Sequence, residues 1–349
     1  MPPDHAPVHS VAPLRISFVG GGTDFPHWYR EHGGAVLSAT IDHVVRVTAT
    51  PRADRAVRVR SLDLGHLVQY QLDEGPEYDG VMDLAKAAID RMGLDTGLDV
   101  DIESEAPAGS GLGGSSALVT ALVAALACLD DRPMTCDEVA RLSYSIERYD
   151  LGISGGWQDQ YAAAYGGFNL IEFDGDGARV SPVDVGPDEL EELRKHLLLC
   201  YTGRVRRNVG LIDRQIAMFE AGREDTLLGM KQLREMAYVM RDAVQAADIG
   251  RLGALLRDAF DAKRRMNPHI TEGTPIESML AAAAEAGATG GKICGAGGGG
   301  YLLIASPPEA RAAVRSALEA IGGQFAPFEF DPLGVRARRG DTHWTPSRR

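Results

Sequence analysis

Three clumps of glycine constrain this chain more than any other feature: residues 20–22, the stretch 109–114 and the run 295–300. Glycine gathers where backbone must turn sharply or come close to something, and clumping excludes collagen-like and linker-like chains, in which glycine is spread. Each clump adjoins a strand signal. Residues 14–19 alternate and run straight into the first. Residues 98–103 alternate ahead of the second, which leads into 117–129, a run apolar on every side that predicts a helix buried on most faces. Residues 292–294 and 301–305 read as strands flanking the third.

Further strand signals lie at 35–41, 44–49, 57–60, 67–72, 168–173 and 197–201. Helical spacing marks 82–92, stopped by Gly93, then 135–149 and 158–165, and most of the second half: 189–196, 208–221, 225–246, 249–265 and 276–286. Strands and helices in this order predict an α+β chain, not a regular alternation of parallel units. The length, 349 residues, suits two domains. A composition shift between 174 and 190 divides them, giving an expected N-terminal domain 1–180 and C-terminal domain 181–349.

A net charge of −13 argues against a nucleic-acid partner, since duplex binders carry the opposite balance. It also means that an anionic substrate must be met by a local cluster of cations or by a metal ion. The four cysteines, Cys128, Cys136, Cys200 and Cys294, form no CxxC pair, and reduced thiols in a cytoplasmic protein are expected. The opening residues lack a basic region followed by an apolar core, and the apolar run 117–129 falls short of the ~20 residues of a membrane span. No secretory signal and no membrane partner are expected.

A glycine loop entering a helix bares backbone N–H groups at the positive end of the helix dipole, a general phosphate cradle. None of the three clumps is a GxxxxGK[ST] loop. Gly109-x-Gly111-x-x-Gly114 and Gly295-x-Gly297-x-x-Gly300 match the dinucleotide fingerprint, but no second strand ending in an acidic residue follows at the required distance. A tight turn needs only one or two glycines. Five in six positions at 295–300 favour close backbone approach to a ligand or to another chain segment. For residues 20–22 a plain turn fits as well as a functional loop.

Taken together, three segments resemble the GHMP small-molecule kinases. Pro107 through Ala117 is similar to the family's nucleotide motif, residues 12–24 (APLRISFVGGGTD) to its amino-terminal motif, and 292–300 (KICGAGGGG) to its carboxy-terminal glycine motif. Within the family, GSGLGGSSA, QDQYAAAYGG and GGKICGAGGGG look closest to kinases of D-glycero-D-manno-heptose 7-phosphate, with L-fucose kinase domains next. Gly114 departs from the motif, where many relatives carry Ser or Thr.

The resemblance implies an N-terminal domain like domain 2 of ribosomal protein S5, a ferredoxin-like C-terminal domain, a site between them, and ATP with Mg²⁺. It implies that Pro107, Gly109, Ser110, Gly111, Leu112, Gly113, Gly114, Ser115 and Ser116 hold the nucleotide. Ser115 or Ser116, with Glu147, would hold the metal, which takes hard oxygen ligands. By itself Glu147 reads as a solvated residue of an amphipathic helix. Asp159, after the turn Gly155-Gly156, corresponds to the catalytic aspartate that accepts the proton of the attacking hydroxyl; alone it is an acidic residue favouring a helix N-terminus. Arg15 would stabilise the reacting oxygen, where a snorkelling surface arginine is the plainer reading.

For the acceptor, the resemblance points to Gly21, Gly22, Thr23 and Asp24, and to Gly297 and Gly298. A short carboxylate such as Asp24 accepts two sugar hydroxyls well. An acceptor phosphate needs cations, and two clusters qualify: Arg204, Arg206 and Arg207 after a strand, which is preferred, and Lys263, Arg264 and Arg265 at a helix end. Taken alone, each reads first as a solvated face or a C-terminal helix-dipole partner rather than a substrate site. The expected activity is transfer from ATP to the anomeric hydroxyl of heptose 7-phosphate, giving the 1,7-bisphosphate. The rivals are a kinase for an unphosphorylated sugar such as fucose, a sugar- and ATP-binding regulator without catalysis, and an NAD-dependent oxidoreductase.

Overall fold

A computed structural model of the chain describes residues 6–175, 177–204 and 210–347. Its strands, in chain order, are β1 (Val8–Val19), β2 (Gly34–Pro51), β3 (Ala56–Ser61), β4 (His66–Gln71), β5 (Leu98–Ser104), β6 (Phe168–Asp174), β7 (Gly177–Pro182), β8 (Leu197–Tyr201), β9 (Gly290–Ile293), β10 (Tyr301–Ala305), β11 (Gln324–Ala326), β12 (Arg336–Arg339) and β13 (Thr345–Pro346).

The larger sheet runs β13-β12-β1-β2-β5-β3-β4, with β6 and β7 branching from β2. The two strand signals at 35–41 and 44–49 are one strand. Opposite β1 the pairing steps from Pro13↔Val44 to Leu14↔Ile41, so Asp42 and His43 form a bulge rather than a turn. The long β2 then serves two neighbours: its first part pairs β6 and its second part pairs β5. That fork opens the sheet beside the first glycine turn. Alternate residues of β5 and β3 are buried, as their period-two patterns require.

The helix Gly114–Leu129 lies against β1 and β2 and is buried along almost its whole length, which matches its lack of a polar face. The helix Cys136–Ser145 begins with a capping box between Thr135 and Glu138. It does not run on regularly to residue 149. A π-helical turn, Ile146–Asp150, interrupts it and rotates Glu147 out of the solvent-facing register.

The smaller sheet has the order β11-β8-β10-β9, all antiparallel. Numbered within this unit the order is 4-1-3-2, which is the ferredoxin-like arrangement of a βαββαβ chain. Its first connection carries the helices Leu211–Glu220, Glu224–Gln245, Ile249–Met266 and Ile276–Glu285, and Arg311–Glu319 forms the second. A separate apolar cluster, including Cys200, Phe260, Ile276, Met279, Leu302 and Leu318, packs beneath this sheet.

The chain ends differ from a simple split at 180/181. β12 pairs β1 through Val8↔Arg339 to Val11↔Arg336, so the C-terminal segment returns to the first sheet. The short, arginine-rich β12 carries too little alternation to announce a strand. It is stabilised by the free edge of β1 that it covers. No helix among the described residues is long and apolar enough to cross a membrane.

Candidate active site

A cleft of about 670 Å³ is lined by residues from the first glycine turn, the second glycine loop, the π-turn, the start of the helix Gln158–Tyr165, and the C-terminal helices. Pro107, Gly109, Ser110, Gly111, Gly113, Gly114, Ser115 and Ser116 all reach it. Leu112 does not. Its side chain is buried, and its carbonyl accepts the backbone N–H of Arg15 at 3.0 Å.

The loop is a built cradle. Gly109, Gly111 and Gly113 have φ of +73°, +81° and +79°, the left-handed region where glycine alone is unstrained. The helix that follows starts at Gly114 without a side-chain cap, so its first N–H groups stay free for an anion.

Arg15 ties the loop to the opposite wall. It is 3% exposed, and its Nη1 donates to Gly111 O at 2.7 Å. Its Nε and Nη2 donate to Asp159 Oδ1 at 2.8 and 2.6 Å. A snorkelling role is therefore excluded. Asp159 stands in the first turn of its helix, and its carboxylate lines the cleft.

Trp157 stacks on Tyr144 with ring centroids 3.5 Å apart and donates from Nε1 to Tyr29 Oη at 3.1 Å, which anchors the turn that presents Asp159. A Cβ on Gly156 would overlap the Asp24 carboxylate, so the double glycine lets this turn close over Asp24. Asp24 is buried. It accepts Gly22 N–H at 2.9 Å and Gln158 N–H at 3.0 Å, and desolvation holds its carboxyl above the usual range.

Glu147 is buried too, at 2% exposure, not solvated. Its Oε1 accepts Gln160 Nε2 at 2.6 Å, and the same Nε2 donates to Ser116 Oγ at 3.0 Å. Its Oε2 faces Arg148 Nη1 at 3.3 Å. Burial pushes its carboxyl above the usual range, with Arg148 opposing. Ser116 is buried beside it while Ser115 is exposed, so Ser116 is the hydroxyl that stands with Glu147. One carboxylate and one hydroxyl fit Mg²⁺, which keeps waters and phosphate oxygens as its other ligands. Among the described residues no group of three His, Cys, Asp or Glu side chains could form an all-protein metal cage.

Several expected acceptor residues lie elsewhere. Gly21, Gly22 and Asp24 line the cleft, but Thr23 does not. Its hydroxyl is fully buried, donating to Gly20 O and Ala35 O, so it fastens the turn. Gly297 and Gly298 are buried against Ile270, where Gly298 N–H donates to Ile270 O at 2.8 Å. The run 295–300 serves backbone approach to another segment. A Cβ on Gly295 would stand 2.8 Å from Gly111 Cα, and Tyr301 N–H donates to Ser110 O at 2.9 Å.

The preferred basic cluster is also not in the cleft as far as it is described. Arg204 is exposed and donates to Gly273 O at 3.1 Å, and Arg206 and Arg207 lie outside the described residues. From the other cluster, Arg264 pairs with Glu277 and Arg265 with Gln232, while Lys263 lines the cleft. Gln158, Gln215 and Arg148 also line it and were not singled out by sequence. For Lys263 there was a usable signal. It falls on the apolar stripe of its helix, with Leu252, Leu256, Ala259 and Met266. The glutamines carried none.

Residues 80–167 match the GHMP kinases N terminal domain and residues 240–323 match the GHMP kinases C terminal domain. The chain is 32% identical over 338 residues to a D-glycero-alpha-D-manno-heptose 7-phosphate kinase from Campylobacter jejuni, covering 95% of this chain and 99% of the relative. It is 27% identical to a bifunctional fucokinase/GDP-fucose pyrophosphorylase from Arabidopsis thaliana, covering 88% of this chain and 30% of that protein. A crystal structure described as a D-glycero-D-manno-heptose 1-phosphate kinase from Bacteroides thetaiotaomicron superposes with a TM-score of 0.79 at 28% identity, covering 96% of this chain and all of that one. Both halves match in order and one relative is shared from end to end, so this chain belongs to the GHMP kinase family.

Proposed function

We propose that this GHMP kinase transfers the terminal phosphoryl group of ATP to the anomeric hydroxyl of D-glycero-D-manno-heptose 7-phosphate, forming the 1,7-bisphosphate and ADP. The observation that carries this reading is the chain Gly111 O–Arg15–Asp159, which fixes a carboxylate at a set distance from a phosphate-binding loop. Phosphoryl transfer asks a protein mainly to position two reactants and to neutralise growing charge.

In this reading the N–H groups of residues 109–116 hold the triphosphate. Ser116 and Glu147 would hold Mg²⁺, which neutralises phosphate charge when bound. Asp159 Oδ1 is engaged by Arg15, which leaves Oδ2, without a hydrogen bond among the described residues, to take the acceptor proton. The O1–H bond breaks toward that oxygen, O1 bonds to phosphorus, and the bond from phosphorus to the ADP oxygen breaks. An anomeric hydroxyl is more acidic than an ordinary alcohol, so a carboxylate suffices as base. Arg15 lines the cleft where its charge stabilises the reacting oxygens.

The test is ADP release by purified protein with heptose 7-phosphate, unphosphorylated heptose, L-fucose and galactose, with ³¹P NMR locating the new phosphate. Turnover of the heptose phosphate at C1 is expected. The similarity to a fucokinase supports a second reading, an anomeric kinase for a neutral sugar. Strong turnover of fucose with none of the heptose phosphate would establish that one instead.

A further inference from the structure

Two donors in the cleft lack the partners their burial calls for. Gln215, on the helix Leu211–Glu220, is 6% exposed, lines the cleft, and its Nε2 has no hydrogen-bond partner among the described residues. Lys263, on the helix Ile249–Met266, is also 6% exposed and lines the cleft. Its ammonium donates to Gly295 O at 2.6 Å and forms no ion pair among the described residues. Desolvation, then Lys292 and Arg15, pull it down to about 7, and of the charged groups around it Asp24 is the carboxylate that opposes. A buried amide and a buried cation without counter-charge are costly arrangements, retained where a ligand completes them.

The helices that carry them meet at Gly22. Gln215 Nε2 and Met266 Sδ each lie 2.9 Å from where a Cβ on Gly22 would stand. Met266 follows Lys263 by three residues, on the same helix face. Gly22 in turn holds Asp24. On the N-terminal side of the cleft the cations Arg15 and Arg148 are already paired, with Asp159 and Glu147, which leaves as acceptors Asp24 and Gln158 Oε1, the latter buried without a partner among the described residues. One side therefore suits hydroxyl groups. The other presents donors and positive charge, and calls for acceptor oxygens that carry negative charge, which a phosphate monoester supplies and a sugar hydroxyl does not.

We propose that Gln215 and Lys263 form a phosphate-receiving wall, and that the phosphate is the one carried by the acceptor. This rests on the sugar-kinase reading above and narrows its substrate to a phosphorylated sugar. The nucleotide's terminal phosphate offers the same chemistry. The place of Gln215 beside Gly22 and Asp24, on the acceptor side, favours the acceptor's phosphate.

The test is calorimetric titration of wild type, Gln215→Leu, Lys263→Met and Lys263→Arg with heptose 7-phosphate and with unphosphorylated heptose. A second arm titrates ADP and a non-hydrolysable ATP analogue. Wild type is expected to prefer the phosphorylated sugar by about tenfold or more. The preference should collapse in Lys263→Met, shrink in Gln215→Leu and be partly kept in Lys263→Arg, with the ratio of the two nucleotides unchanged. An unchanged sugar preference in the variants overturns the proposal, and so does a loss confined to the ATP analogue. If Lys263→Met does not fold, Gln215→Leu and Lys263→Arg decide. Wild type that phosphorylates neither sugar refutes the proposed function, whereas active wild type with indifferent variants refutes only this wall.

Discussion

Arg15 holds Asp159 and the carbonyl of Gly111 with one guanidinium, through contacts of 2.6 to 2.8 Å. A residue of β1 thus sets the spacing between the glycine loop 109–114 and the carboxylate of Asp159 across the cleft. The planar, always-charged fork suits this task, because lysine could not make both contacts in fixed geometry.

Removing the base without removing its shape is the direct test of that arrangement. Asp159→Asn is expected to lower kcat by about 10²–10⁴-fold while leaving ATP affinity, measured by calorimetry, within about twofold. Unchanged turnover would refute the assignment of Asp159. Absence of turnover in wild type and variant alike would instead favour the reading of the chain as a regulator.

Glu147 is a carboxylate whose burial raises its folded-state pKa. Such a group contributes most to stability when protonated, so its contribution falls as pH rises from the unfolded value through the folded one. Glu147→Gln should therefore make the metal-free protein as stable as wild type or more so, with an advantage that grows from pH 5 to pH 8 in urea unfolding. Gln160 Oε1, buried without a partner among the described residues, can accept the new amide after a side-chain flip. The same variant should lose most Mg²⁺-dependent turnover. A variant less stable at pH 8 than at pH 5, relative to wild type, would contradict this account.

The glycines of the loop are not equivalent. At Gly111 φ is +81° and a Cβ would stand 2.7 Å from Cys294 O, so Gly111→Ala must displace backbone. We expect a loss of about 2 kcal/mol or more of stability, together with weaker ATP binding. Gly114 has open space where a Cβ would stand and begins the helix Gly114–Leu129. Gly114→Ala should be neutral or stabilise by about 0.5–1 kcal/mol. Equal thermal midpoints for the two variants would disprove the distinction.

Lys292 is buried, donates to Ser17 O at 2.6 Å, and is pulled down to about 8 by desolvation. The unfolded chain then binds more protons than the folded one between about pH 8 and 10.5, so this group makes stability rise with pH across that window. The slope is at most about 1.4 kcal/mol per pH unit. Lys292→Met should flatten the pH dependence of urea unfolding between pH 8 and 10. A parallel shift of the whole curve, with the slope kept, would show that the lysine is charged in the folded protein throughout.

Local pattern carried much of this protein. The all-apolar run 117–129 had no face to expose and is buried almost throughout, and Gly93 ends its helix in the left-handed conformation. Residues 109–114 announced a cradle because free N–H groups and positive φ are properties of the local backbone. Ser116 could not be told from Ser115 by position in a motif. The choice follows from which one the helix turns inward, toward Gln160 and Glu147.

Other features depended on segments far apart in the chain. Glu147 read as a solvated helix residue because a regular helix was assumed, and the π-turn that buries it leaves no mark in residue periodicity. β12 is a strand only because β1 offers it an edge. The amino-acid sequence by itself determined the α+β class, the left-handed glycine loop at 109–113 and the kinase family. Among the described residues, the tertiary structure decided which member of the two basic clusters enters the cleft, Lys263 rather than Arg204, and which polar atoms are left facing it. Backbone conformation is encoded within a few neighbouring residues. Burial and pairing of a side chain are settled only when distant segments pack against it.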